Sequence, residues 1–351
     1  MSNYTTINKS TDHFNTKLYT GNGGTQSITG VGFQPDWTWI KKRNGTADHR
    51  LVDAVRGVTK DIYSNLNAVE GTNTNGLTAF GSDGFTVGSD GGYNGSSDTY
   101  ASWNWKAGTT GSGTTAGGGT GKAYSYSVNT TAGFSIVKWI GNGSAGHAIP
   151  HHLGAVPGMI ILKTLDQVGD PLVYQHKNTS APETEFLRLK STNATQDEAA
   201  IWNDTAPTST YFYTGTEATV NGNNNNFIAY CFAEKKGYSK FGSYTGNGSA
   251  SSGTFIYTGF KPAFVMIKRT DGTGSWEMYD AKREGFNPQV HGLTANTSNA
   301  EDNTDDLLDL LSNGFKLYHD GGGLNASGGS YIYMAFGQSI VGTNNIAATA
   351  R

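Results

Sequence analysis

Two lysine and aspartate pairs stand at one separation in this chain, Lys41 with Asp53 and Lys268 with Asp280, and a pair of that kind would suit proton transfer. At a third matching place the partners are Lys163 and Gln175. Glutamine carries no exchangeable charge but accepts a hydrogen bond, so the set reads as a tie between neighbouring strands rather than as an acid and base. His147, His151 and His152 have a spacing open to metal ligation, yet no recurrent carboxylate or cysteine completes a shell, and solvated loop histidines are the plainer reading. Glycoside hydrolysis needs two facing carboxylates; the acidic run Glu301, Asp302, Asp305, Asp306 and Asp309 has no counterpart elsewhere and reads as a charged surface. Nucleophile elbow, Walker loop, dinucleotide fingerprint and zinc-protease motif are all missing from the sequence. The expectation is therefore no enzyme, no metal and no cofactor. Surface recognition remains: Trp103, Trp139, Trp202 and Trp276 are candidate platforms for stacking on sugar rings, and Asn223 and Asn224 lie in a polar loop tip suited to hydrogen bonds.

The elements that must position these residues are written three times. Gly21-Asn22-Gly23, Gly141-Asn142-Gly143 and Gly246-Asn247-Gly248 each follow an aromatic two places earlier, Tyr19, Trp139 and Tyr244. Pro35, Pro157 and Pro262 come next, each six residues before the lysine and eighteen before Asp53, Gln175 or Asp280. Asn94, Asn221 and Asn325 are then followed after six residues by Tyr100, Phe227 and Tyr331, and after eleven by Trp105, Phe232 and Phe336. Spacings kept at this level imply three copies of one module of about one hundred residues. The division reads as an N-terminal arm 1–14, modules 15–107, 132–234 and 235–336, a Gly/Thr-rich linker 108–131, and a tail 337–351. The linker has no large side chain in 108–121 and is expected as a flexible tether or irregular loop.

Composition points to an all-β chain. There are 49 glycines in 351 residues, aromatics at 12% and charged residues at only 15%, which suits many short strands and tight turns. A net charge of -3 leaves no footprint for nucleic acid. The single cysteine, Cys231, excludes a disulfide within the chain and reads as a small buried hydrophobe. The start lacks a signal peptide, and no segment is apolar for long enough to insert in a membrane, so synthesis in a reducing cytoplasm is expected.

Within a module, Met159-Ile160-Ile161-Leu162 and Phe264-Val265-Met266-Ile267 are apolar on both faces, which predicts a central strand covered on two sides. The proline ahead of it belongs at the strand's start, and Gly-Asn-Gly reads as a hairpin turn. The whole predicts three tandem β-sandwich modules of jelly-roll or lectin-like kind. One short helix is expected in the third, Asp305 to Ser312, with Asn303 or Thr304 as cap, Leu307, Leu308, Leu310 and Leu311 on one face, and Asn313-Gly314 as stop.

The wording Tyr19-Thr20-Gly21-Asn22-Gly23, Gly32-Phe33-Gln34-Pro35-Asp36-Trp37, Asp83-Gly84-Phe85 and Trp103-Asn104-Trp105-Lys106-Ala107-Gly108 resembles the repeated module of uncharacterised virion proteins of marine phages, including cyanophages. Gly237-Tyr238-Ser239-Lys240-Phe241-Gly242 and the residues after it are similar to the same group. The resemblance implies a virion location and a structural role in the tail or a fibre, contributing to attachment to a host-surface glycan. Other virion proteins would be its partners, and a homotrimer its assembly. The alternatives are a capsid-decorating protein that stabilises the head and a polysaccharide depolymerase. Residues 1–11 and 337–351, poor in core-forming side chains, are expected to dock on neighbouring subunits and to order only there.

Overall fold

The computed structural model describes residues 5–303 and 307–339. The fold is all-β, and among the described residues no α-helix exceeds one turn: α1 (Gly91–Asn94), α2 (Ala199–Trp202) and α3 (Ala218–Asn221). The first repeat holds β1 (Phe14–Thr20), β2 (Gln26–Thr29), β3 (Trp37–Lys42), β4 (Arg50–Asp53), β5 (Lys60–Asp61), β6 (Gly71–Thr72), β7 (Leu77–Gly81), β8 (Gly84–Val87) and β9 (Thr99–Trp105). Between repeats run β10 (Thr109–Thr114), β11 (Ala116–Gly117) and β12 (Ala123–Asn129). The second repeat holds β13 (Phe134–Ile140), β14 (His147–Pro150), β15 (Met159–Thr164), β16 (Leu172–Gln175), β17 (Glu185–Arg188), β18 (Gln196–Asp197), β19 (Tyr211–Thr214) and β20 (Asn226–Phe232). The third holds β21 (Ser239–Thr245), β22 (Phe255–Tyr257), β23 (Phe260–Arg269), β24 (Trp276–Asp280), β25 (Leu293–Thr294), β26 (Leu308–Leu311), β27 (Gly314–Leu317) and β28 (Ser330–Ser339).

One strand order recurs. The last strand of each repeat lies between its first and third, giving β1-β9-β3-β4, β13-β20-β15-β16 and β21-β28-β23-β24, all antiparallel. A smaller sheet, β2-β8-β7, β11-β14-β19 or β22-β27-β26, covers one face of each larger one. Alternate residues of the third strand divide between two cores. Ile40, Ile160, Leu162, Val265 and Ile267 face their own small sheet, whereas Trp37, Trp39, Met159, Ile161, Phe264 and Met266 enter a single cluster fed by all three repeats. That shared cluster is why these strands are apolar on both faces. At its centre the closing aromatics of the repeats meet: Trp105 and Phe232 at 6.4 Å, Phe232 and Phe336 at 5.8 Å, Trp105 and Phe336 at 5.8 Å between ring centroids.

Backbone hydrogen bonds close the same ring. Residues 298–301 clasp the turn after β3, through Ala47 N to Ser298 O at 2.9 Å and Glu301 N to Arg43 O at 2.8 Å. Residues 192–195 clasp the turn after β23, through Gly274 N to Thr192 O and Thr195 N to Thr270 O, both 2.9 Å. Residues 67–70 clasp the turn after β15, through Gly169 N to Asn67 O at 2.9 Å and Glu70 N to Leu165 O at 2.8 Å. Each repeat thus holds one neighbour and is held by the other.

Gly-Asn-Gly is not a hairpin. The strands on either side of it belong to different sheets, so it is a corner between sheets. Its Asn main-chain N–H donates to the Oδ1 of Asn94, Asn221 or Asn325 at 2.9–3.0 Å, and the Nδ2 of that fully buried residue donates back to Asn22, Asn142 or Asn247 Oδ1. The last glycine sits at φ 73, 72 and 66° in the three copies, where a side chain would be strained. The aromatic before each corner stacks on the one six residues past the asparagine: Tyr19 on Tyr100 at 5.0 Å, Trp139 on Phe227 at 5.4 Å, Tyr244 on Tyr331 at 4.9 Å.

Four expectations need correction. The 108–131 linker is ordered: β10 and β12 extend the second repeat's larger sheet, because Tyr124, Tyr126 and Val128 alternate with serines in a strand pattern. Of the expected helix, Thr304–Asp306 lie outside the described residues, and Leu308–Leu311 is strand β26, with Leu308 and Leu310 buried and a two-residue turn into β27. Pro262 lies inside β23, not at its start, and is tolerated because the pairing with β28 shifts register between Pro262 and Phe264. The described ends pack on this chain: Ile7 is in the shared core, Ser10 N donates to Gln338 Oε1 at 2.9 Å, and β28 runs to Ser339.

The lysine and aspartate pairs do not meet. Register sets Trp37 opposite Asp53 and Phe264 opposite Asp280, four residues from the lysines. Lys41 Nζ instead donates to Lys42 O at 2.7 Å and Ser298 O at 3.3 Å, and Lys268 Nζ to Arg269 O at 2.7 Å and Thr192 O at 3.2 Å. Lys163 Nζ has no hydrogen-bond partner among the described residues, and burial lowers it to about 8. A depressed lysine pKa means stability that is lost as pH falls from the unfolded value through the folded one. Replacing Lys163 with Met should therefore raise stability at pH 7 by about 1–2 kcal/mol, and less at pH 10, in urea titrations. Lys41→Met and Lys268→Met, which give up hydrogen bonds across the clasps, should lower it by about 1 kcal/mol.

Candidate functional site

The residues shared by all three repeats serve the interior. Asp53 Oδ2 accepts from Tyr230 Oη of the second repeat at 2.8 Å, Gln175 Nε2 donates to Gly242 O of the third at 3.1 Å, and Asp280 Oδ2 accepts from Trp103 Nε1 of the first at 3.0 Å. The two aspartates also pair with fully buried arginines three residues on, Arg56 at 2.5 Å and Arg283 at 2.6 Å. The residue three places after Gln175 is Asn178, so a neutral side chain replaces both members of the ion pair together. A lone carboxylate there would be buried uncompensated. The covariation of Asp with Arg, and of Gln with Asn, was readable in the sequence and identifies these positions as interior ties.

The four tryptophans are not sugar platforms. Trp103, Trp139, Trp202 and Trp276 are at most 2% exposed. Trp139 packs against Phe212 and Phe227, Trp202 against Tyr174, and Trp276 Nε1 donates to Arg188 O at 3.0 Å across a repeat boundary. Trp103 and Trp276 lie in the core shared by the three repeats, and Trp139 and Trp202 in the second repeat's own core, so none has a free face. Asn223 and Asn224 are exposed, at the corner of the second repeat, where Asn224 Oδ1 accepts from Lys122 Nζ at 2.7 Å. The histidines have separate partners: His147 bridges Asn221 Oδ1 and Thr115 Oγ1, and His151, lowered to about 4 by burial, bonds Thr208 O. Among the described residues no three His, Cys, Asp or Glu side chains are placed to hold a metal ion.

A partly exposed aromatic surface does exist, two residues beyond Lys122. Tyr124 and Tyr126 stand on one face of β12, half-buried against the second repeat's core. Their rings lie over β10, whose Gly111 and Gly113 leave the space: a Cβ at Gly111 would fall 2.6 Å from Tyr126 Oη, and one at Gly113 2.9 Å from the Tyr124 ring. His152, at φ 59°, stacks on Tyr126 with centroids 3.7 Å apart and places Nε2 3.0 Å from Tyr124 Oη. Tyr211 on β19 is half-buried and lies close to Tyr124. The set offers ring edges, phenol hydroxyls and an imidazole on glycine-flattened backbone, a combination suited to hydroxyl-rich rings. Its sequence signal was the alternation in 122–129, masked by the glycine run before it.

One family, described as "Domain of unknown function (DUF7483)", matches residues 9–339, and the chain belongs to it. No curated protein and no solved structure matches. The family span runs unbroken across all three repeats, as the shared core requires. Truncating any one of the four tryptophans should accordingly act on the fold: Trp139→Ala is expected to cost about 3–5 kcal/mol of unfolding free energy, measured by denaturant titration.

Proposed function

We propose that this chain is a phage virion structural protein of the tail or a fibre, contributing to attachment to a host-surface glycan. Three repeats, each a β-sandwich of jelly-roll or lectin-like kind, form its rigid body. The observation that carries the reading is the Tyr124, Tyr126 and His152 ledge, an aromatic and hydroxyl surface kept partly open in a protein whose tryptophans are all interior. Such side chains meet a sugar with apolar ring edges beside its C–H groups, while phenol hydroxyls and the imidazole bond its hydroxyls. The resemblance of the repeated wording to marine phage virion proteins supplies the setting. The internal chemistry agrees with a building role, since Lys41, Asp53, Lys268 and Asp280 are committed to contacts between repeats.

The test combines location and binding. Antibody against the folded chain should label tails or fibres of purified particles, and label confined to heads would replace attachment with head decoration. Host-surface polysaccharide immobilised on a sensor should retain the purified protein, and Tyr126→Ala should weaken retention about tenfold or more with an unchanged melting temperature. Equal retention by the variant would remove the ledge from the account. Shortening of the polymer during incubation would mean catalysis instead.

A further inference from the structure

The three repeats differ most at one place inside their matching frame. The residue three before Asp53, Gln175 or Asp280 is Arg50, Leu172 or Glu277, and register confirms the match, since these lie opposite Ile40, Leu162 and Ile267. The residue two before the buried asparagine faces it: Gly92 in the first repeat, Thr219 in the second, Gly323 in the third. In the first repeat the space is filled. The Arg50 guanidinium bonds Tyr63 Oη at 2.6 Å, reaches Asp61 Oδ2 at 3.4 Å, lies 4.8 Å from the Tyr63 ring centre, and covers Gly92 so closely that a Cβ there would fall 2.8 Å from Nε. In the third repeat the same space is a cavity of about 520 Å³.

Glu277, Tyr279, Asp302, His319, Gly323 and Leu324 are among the residues around that cavity. Among the described residues the Glu277 carboxylate has no ion pair or hydrogen bond, and a Cβ on Gly323 would fall 3.6 Å from its Oε1. The Tyr279 hydroxyl is a second group without a partner: the residue is 1% exposed, its Oη has no hydrogen-bond partner, and it lies against Gly292 in the cavity wall. Leu324 stands where the first repeat has Tyr93, which clears the volume that Tyr93 fills beside Arg50. The other charges facing Glu277 are accounted for. Glu301 is held by Arg43 at 2.9 Å and Arg283 at 2.8 Å, Asp302 is joined to Gly292 through the backbone, and His319 Nδ1 accepts from Gly321 N at 2.7 Å.

We propose that this cavity binds an organic cation, a guanidinium or primary ammonium group, supplied from outside the chain in the place where the first repeat uses its own Arg50. The first repeat shows the chemistry: a planar cation between a carboxylate and a phenol hydroxyl, over a glycine. The third repeat keeps the glycine, has Gly292 and Thr294 where the first has Asp61 and Tyr63, and brings a phenol hydroxyl and a carboxylate to the space from other positions, Tyr279 and Asp302, with Glu277 in place of the cation. A metal ion is the weaker occupant, because among the described residues no three of the carboxylates and histidines, His319 and Glu301 included, are placed to hold one. Burial, and then Asp302, push the Glu277 carboxyl up to about 7, so a bound cation displaces a proton near neutrality.

The proposal is independent of the tyrosine ledge and of the attachment reading, and a failed polysaccharide assay leaves it standing. Methylguanidinium chloride titrated into the full chain should shift the amide signals of Gly292 and Gly323, with binding about tenfold tighter at pH 8 than at pH 6 as Glu277 ionises. Glucosamine should shift the same signals, whereas glucose should not; the two cations separate a guanidinium from an ammonium preference. Glu277→Gln should abolish the shifts while Tyr126→Ala leaves them unchanged. Glu277→Arg, which rebuilds the first repeat's arrangement, should fold and be blind to both cations. Unchanged signals with either cation, equal response to glucose, saturation by calcium chloride instead, or full binding by Glu277→Gln would each overturn the proposal.

Discussion

The meeting of Trp105, Phe232 and Phe336 is the contact on which the rest of the molecule depends. Each aromatic lies in the last strand of its repeat, and that strand is flanked on both sides within its sheet. Around the triangle, Trp37 stacks on Tyr230 at 4.2 Å and Phe14 on Phe336 at 5.2 Å, so rings of different repeats pack directly on one another. Aromatic pairs of this kind contribute about 0.5–1.5 kcal/mol each beyond the area they bury. The larger sheet of every repeat is therefore apolar on two faces, and a repeat standing alone would expose one of them to water. The unit of stability is the ring of three.

A head-to-tail contact repeated by a suitable rotation closes on itself. Here the closure happens inside one chain. Residues 67–70 of the first repeat hold the second, 192–195 of the second hold the third, and 298–301 of the third hold the first. The buried ties run in the same rotational order, from Asp53 to Tyr230, Gln175 to Gly242 and Asp280 to Trp103. Three like sheets are thereby gathered about one centre within a single chain.

Spacing made the repeated frame legible, because matched positions such as Asn94, Asn221 and Asn325 do one job in one geometry. It did not reveal which faces the repeats turn toward each other. A doubly apolar strand says that something covers both sides without saying what, and Trp103 and Trp276 looked available as platforms only while that second cover was unknown. The 108–131 segment misled for a different reason: glycine there serves packing, with Gly111 and Gly113 making room for the tyrosine rings of β12, rather than mobility. Leu307 to Leu311 misled because four leucines in five residues satisfy a helical stripe and a strand alternation alike. Pairing with β27 decided for the strand.

The clasps are made from main-chain N–H and C=O groups, and this has a consequence for function. Six hydrogen bonds that do not depend on side-chain identity hold the ring, so the side chains at the outer ends of the sheets can differ without loosening it. The repeats use that freedom unequally. The first fills the end of its sheets with Arg50 and its partners, the second carries the tyrosine ledge built from the added strands β10 and β12, and the third leaves the cavity beside Glu277. A threefold frame with three unlike outer ends presents its surfaces in a fixed relation to one another. Recognition on such a body gains from that rigidity, because a ligand contacting one end pays no ordering cost in the frame behind it.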